Sequence, residues 1–191
     1  MPTLHVCSLA RLAETVARTG ASHVVTLLND GTPVTRPSSI RPERHLILSI
    51  SDIIDPMDGQ ILPAVAHVET LLEFVRVWNR EGPLLFHCFA GISRSTAAAF
   101  IAACEIAPEC SEADLAAALR RASPFATPNA RLVALADDLL GRRGRMVDAV
   151  LSIGRGAEAY EGEPFMLPIT TDVEAALGVL ASPAIDPHNR P

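Results

Sequence analysis

LLFHCFAGISRSTAAAFIAACEI, residues 84–106, joins two apolar segments of different character through a short polar, Gly-bearing link. Leu84-Leu85-Phe86 reads as a short, fully apolar strand, and the Ala-rich run from Ser95 onward, apolar nearly all round, reads as a buried helix. His87 to Ser95 must then turn the chain from strand to helix. Such a loop can aim a run of backbone N–H groups at one spot, and the helix amino terminus adds positive potential there. A nest of this kind suits a tetrahedral dianion. Cys88 stands at its start, where the same amides and the charge of Arg94 favour the thiolate, a nucleophile near neutral pH. Arg94 offers a planar fork that takes two phosphate oxygens at once. Gly91 permits backbone geometry that other residues resist.

Working outward, residues 4–6 form a strand candidate, and Ser8 could cap a helix whose Leu9, Leu12 and Val16 share a face and which Gly20 ends. HVVTLL, residues 23–28, is a second strand, stopped by the turn signal Asn29-Asp30-Gly31 and followed by a polar loop over 32–44. HLILSI, residues 45–50, is a third. Residues 51–63, with three Asp, two Pro and one Gly, form a loop of unusual acidity. Over 64–80, Val65, Val68, Leu71, Leu72, Val75 and Trp78 recur at helical spacing. Beyond the central stretch, helices open at Ser111 and at Thr127-Pro128, and a last one covers 146–153. Residues 154–191 are Gly- and Pro-punctuated, apart from the capping-box pattern Thr171-Asp172-Val173-Glu174. The organisation expected is a catalytic domain over 1–153 and a C-terminal appendage over 154–191. Its fold class is α/β, a central, mostly parallel sheet flanked by helices, with the chemistry at the carboxyl ends of the strands.

Composition sets the outer limits. The 191 residues are 49% hydrophobic, with 11 Gly and 15 Pro, enough for one buried core and unlike a disordered or fibrous chain. The formal charge is −6, and all 16 basic residues are Arg. A net negative surface argues against a nucleic-acid or anionic-membrane partner. No apolar run approaches the ~18 residues of a membrane span, and the amino terminus lacks a signal-type pattern, so a cytoplasmic protein is expected. Cys7, Cys88, Cys104 and Cys110 show no CxxC spacing and are expected as reduced thiols. His87 adjoins Cys88, but neighbours on a strand point to opposite faces and no second ligand pair has zinc-site spacing. It is read as a supporting residue that orients the loop; neither metal nor cofactor is expected.

The segment HCFAGISRS, residues 87–95, resembles the signature of the cysteine-dependent protein tyrosine phosphatases, HCxxGxxR followed by Ser or Thr, in its dual-specificity form, and a bacterial member is expected. Cysteine, five residues and arginine alone would also fit rhodanese-like or arsenate-reductase-like loops. The resemblance runs from about residue 23 to 140 and includes Pro128-Asn129, similar to the turn that opens a late helix in that family. It implies a phosphotyrosine phosphatase-like fold and a metal-independent phosphatase acting on phosphotyrosine or with dual specificity. Cys88 would attack phosphorus to give a phosphocysteine, and Arg94 would bind the phosphoryl oxygens together with the loop residues Phe89, Ala90, Gly91, Ile92 and Ser93. Ser95 would steady the leaving thiolate. The family draws a general acid from an upstream loop. Ser49-Ile50-Ser51-Asp52 resembles the usual arrangement and points to Asp52, with Asp55 the rival and Asp58 third. The implied partner is a phosphorylated protein or a small aryl phosphate. Without Lys or Arg ahead of Arg94 in the loop, highly charged inositol phosphates fit less well. The competing readings are a phospho-residue-binding pseudophosphatase and a phosphatase of a non-protein phosphate ester.

Overall fold

The computed structural model describes residues 3–169. Its strands are β1 (Leu4–Ser8), β2 (His23–Leu28), β3 (His45–Ser49), β4 (Leu84–Cys88) and β5 (Phe165–Leu167), in the spatial order β3-β2-β4-β1-β5. The first four run parallel. β2 and β4 are buried along their whole length, which is why HVVTLL and LLFHC read as unbroken runs rather than alternating patterns. The helices are α1 (Leu12–Thr19), α2 (Val65–Val77), α3 (Arg94–Ile106), α4 (Glu112–Ala122), α5 (Ala130–Leu139) and α6 (Arg145–Ile153).

Side-chain alternation along the strands sorts the core into two layers. Leu4, Val6, Val25, Leu27, Phe86 and Cys88 face the larger one, with α2 to α6. Cys7, Val24 and Leu85 face the smaller one, with Leu12 and Val16 of α1. α3 is the central helix, packed against α2, α4 and α5 as well as the sheet. Residues Arg94 to Cys104 are all buried, so an Ala-rich sequence with no polar face suits it. Among the described residues, no helix is long and apolar enough to cross a membrane.

Several boundaries differ from the sequence reading. Ser8 does not begin a helix; it ends β1 opposite Cys88, and its hydroxyl accepts the Arg11 N–H. α2 stops at Val77, and the Trp78 indole turns back to donate to the Gly82 carbonyl at 3.1 Å. α5 is capped by Asn129, whose side chain accepts the Leu132 N–H at 3.1 Å, rather than opened by Thr127-Pro128. Within the polar stretch after β2, Pro42–Arg44 forms a single 3-10 turn. Residues 154–169, set apart as an appendage from the sequence, lie against the domain, and β5 pairs antiparallel with β1, Leu167 opposite Leu4 and Phe165 opposite Val6. Three residues between Pro164 and Pro168 carry too little periodicity to be recognised as a strand. The capping-box pattern at 171–174 lies outside the described residues.

Candidate active site

Parallel pairing brings the carboxyl ends of β1, β2, β3 and β4 to one edge of the sheet, so Ser8, Asn29, Ile50 and Cys88 meet there although the sequence scatters them. The loop from Phe89 to Ser93 leaves β4 at this edge and enters α3. Its carbonyls turn outward. Phe89 accepts from the Leu9 N–H at 3.1 Å, Ala90 from Gly162 at 2.8 Å, Ile92 from Thr127 at 2.9 Å and Ser93 from Ala97 at 3.0 Å. Because a trans peptide points its N–H opposite to its C=O, this outward bonding leaves amides for the interior. The Gly91 N–H donates to the Cys88 sulfur at 3.3 Å, and the Ser95 hydroxyl lies 3.1 Å from the same atom. Gly91 holds φ at +73°, in the left-handed region that favours glycine.

Arg94 is 4% exposed. Its Nη1 donates to the Ile50 carbonyl at 2.7 Å and to the Asn29 side-chain oxygen at 2.8 Å, so the ends of β3 and β2 fix the guanidinium. Its Nε is buried without a partner. A buried donor left unpaired is costly, and an anion is the ligand that would satisfy it.

The acidic loop is held over this site. The Ser51 N–H bonds the Ile61 carbonyl at 2.8 Å and closes its base. From the start of α5, Arg131 donates to the carbonyls of Pro63 and Ile54. Asp52 reaches the loop after β4 and the cap of α5: its Oδ1 accepts from the Ser93 hydroxyl at 2.7 Å and from the Asn129 amide at 2.8 Å. Neither bond engages Oδ2. Asp55 lies further along on the wall of an open groove of about 1040 Å³, which also takes in Asp52, Ile54, Met57, Arg155 and Tyr160.

His87 is fully buried, and its Nε2 lies 2.6 Å from the Thr26 hydroxyl, which also meets His45 Nε2 at 2.7 Å. Burial, and after it the charge of His45, lowers the His87 pKa to about 4, so the ring is neutral at pH 7. It supports the loop from beneath, spanning β3, β2 and β4. Cys7 and Cys104 are buried among apolar neighbours, and that burial pushes each thiol up to about 12.

The structure thus brings together Cys88, Arg94, Ser95 and Asp52 and leaves Asp55 at the rim. Sequence reading missed Asn29, which it saw only as a turn residue, and Arg131. Asn129 carried a signal as part of the Pro128-Asn129 turn, though not its bond to Asp52.

No family model matches the chain, and no curated protein matches it. Among solved structures it is similar to DUSP15, 19% identical, covering 83% of this chain and 96% of that one with a TM-score of 0.59. Human DUSP28 is 22% identical over 73% of this chain and 94% of its own, with a TM-score of 0.56. The Yvh1 phosphatase domain from Chaetomium thermophilum is 20% identical over 75% and 93%, with a TM-score of 0.54. The sheet and helices described above are therefore those of the dual-specificity phosphatase fold.

Proposed function

We propose that the protein is a metal-independent phosphatase of the cysteine-dependent, dual-specificity-like family, hydrolysing phosphomonoesters through a phosphocysteine. The observation that carries this reading is the environment of one atom: the Cys88 sulfur, with the Gly91 amide and the Ser95 hydroxyl both turned to it. The Cys88 thiolate attacks phosphorus, the P–S bond forms and the ester P–O bond breaks. Arg94 and the loop amides from Phe89 to Ser93 bind the equatorial oxygens, where charge accumulates in the transition state. Asp52 gives its proton to the leaving oxygen from Oδ2, since Oδ1 is occupied by Ser93 and Asn129. In the second half, Asp52 takes a proton from water as it attacks phosphorus. The P–S bond then breaks, phosphate departs, and Ser95 donates to the sulfur as it regains its charge.

Aryl phosphates, phosphotyrosine in a protein among them, are the substrate class that the surroundings favour. Phe89, the first residue of the loop, is 56% exposed, and Ile54, Met57 and Tyr160 present further apolar surface. Free thiols at Cys7, Cys88, Cys104 and Cys110 agree with work in a reducing, cytoplasmic compartment. The decisive assay is release of 4-nitrophenol from its phosphate ester. Wild type should turn over, be blocked by vanadate and be indifferent to chelators, and Cys88→Ser should be inactive. Equal release by the two proteins would overturn the reading.

A further inference from the structure

The carbonyl of Ala90 and the amide N–H of Gly91 belong to one peptide unit, which is planar and trans, so they point in opposite directions. On the inner side the Gly91 N–H meets the Cys88 sulfur at 3.3 Å. On the outer side the Ala90 carbonyl accepts the Gly162 N–H at 2.8 Å. Nothing in the loop's own sequence fixes this orientation, because a glycine tolerates both senses of φ. Reversed, the peptide would aim a carbonyl oxygen at an anionic sulfur and at the phosphoryl oxygens. The orientation must be held from outside.

The segment following α6 is built to hold it. Arg120 Nη2 donates to the Gly154 carbonyl at 2.8 Å, Gly156 N–H to the Thr127 hydroxyl at 3.0 Å, and Ala157 N–H to the Pro124 carbonyl at 2.9 Å. Further on, the Ser8 hydroxyl donates to the Glu161 carboxylate at 2.5 Å, and β5 fastens the segment to β1. Gly162 is buried between these anchors, where an added Cβ would stand 3.1 Å from the Gly91 carbonyl oxygen. We propose that Gly162 is a positioning residue: its amide locks the Ala90–Gly91 peptide in the sense that turns the Gly91 N–H toward the nucleophile and the bound oxyanion. The inference rests on the phosphatase reading for its catalytic consequence, and on geometry alone for the oxyanion.

Gly162→Pro replaces the N–H by a ring carbon facing the Ala90 carbonyl, and Gly162→Ala adds only the Cβ while keeping the N–H, so the alanine variant reports crowding at the Gly91 carbonyl and the difference between the two reports the loss of the Gly162–Ala90 contact. Both are measured for kcat and KM on 4-nitrophenyl phosphate, for tungstate affinity by calorimetry and for thermal stability. Gly162→Pro should lose roughly tenfold to a hundredfold in kcat, the scale of a misplaced oxyanion donor, and weaken tungstate in proportion. Gly162→Ala should stay well nearer to wild type in both. Wild-type tungstate affinity in Gly162→Pro, or an equal loss in Gly162→Ala, would overturn the lock. Should Gly162→Pro not fold, Glu161→Ala takes its place: it removes the Ser8 anchor on the residue next to Gly162, so that the Gly162 N–H is no longer held firmly against the Ala90 carbonyl. It should weaken tungstate at unchanged melting temperature, and unchanged affinity would overturn the proposal. If wild type matches Cys88→Ser on the ester, the phosphatase reading falls, and tungstate binding still decides the lock.

Discussion

Replacing Gly91 by alanine should cost the protein both its stability and its activity, by amounts that can be worked out separately. The residue sits at φ +73°, and an added Cβ would lie 2.8 Å from Cys7 C and Ser8 N and 3.0 Å from Cys7 O. Those atoms belong to β1, which is paired to β4 on one side and β5 on the other and cannot yield cheaply. A left-handed conformation costs a residue with a Cβ about 1–2 kcal/mol. Overpacking adds about 1–3 kcal/mol, for a total of roughly 2–5 kcal/mol. Gly20 provides the comparison: it caps α1 at φ +66° with nothing within 4 Å of its Cβ position, so Gly20→Ala carries the backbone cost alone. In a chain of this size each kcal/mol moves the melting temperature by about 2–4 °C. Thermal melts followed by circular dichroism should therefore place Gly91→Ala well below Gly20→Ala, and only Gly91→Ala should lose turnover. Equal melting temperatures, or a Gly91→Ala enzyme as active as wild type, would refute the wedge of the loop against β1.

Other outcomes follow from the same geometry. Asp52→Asn should slow esters with poor leaving groups far more than those with good ones, while Asp55→Asn changes neither series; the reverse order in a leaving-group plot would transfer the acid to Asp55. Arg94→Lys, which keeps the charge but loses the fork, should lower kcat/KM by about a hundredfold or more, and wild-type kinetics would show that the buried Nε has no part in binding. His87 gives a stability prediction with a definite sign. Its folded pKa of about 4 lies below the ordinary 6.5, so the unfolded chain takes up the proton first and stability falls as pH drops from about 6.5 to about 4. At 1.36 kcal/mol per pKa unit, the loss amounts to about 3 kcal/mol. Urea melts at pH 7 and pH 4.5 should show a steeper decline for wild type than for His87→Asn, and parallel declines would contradict the buried neutral ring.

The strand-to-helix loop was legible in the sequence because its flanks are extreme. LLF admits a buried strand, and TAAAFIAAC admits a helix hidden on every side, so the turn had to fall among the nine residues between them; it occupies Phe89 to Ser93, with His87 and Cys88 still in β4 and Arg94 and Ser95 already in α3. The acidic break between strand and helix was legible too, with Asp52 three residues beyond the end of β3. What holds these groups in place was not. Asn29 and the Ile50 carbonyl meet Arg94 only because β2 lies beside β4 and β3 beside β2, a long-range fact of strand order that no local pattern encodes. β5 is three residues long and owes its place to pairing with β1, and the Gly162 amide is a backbone group with no side chain to announce it. Residues 154–169 for that reason looked like an appendage.

If Cys88 is the nucleophile, phosphorus becomes bonded to its sulfur during turnover, and that bond can be trapped. Wild-type protein mixed with excess aryl phosphate, quenched early and digested, should yield a peptide spanning Cys88 that carries one phosphoryl group. The Asp52→Asn variant given an ester with a good leaving group should accumulate more of it, because its second half-reaction lacks a base. A phosphoryl group found on another side chain, or turnover that persists in Cys88→Ser with none found at all, would contradict the account.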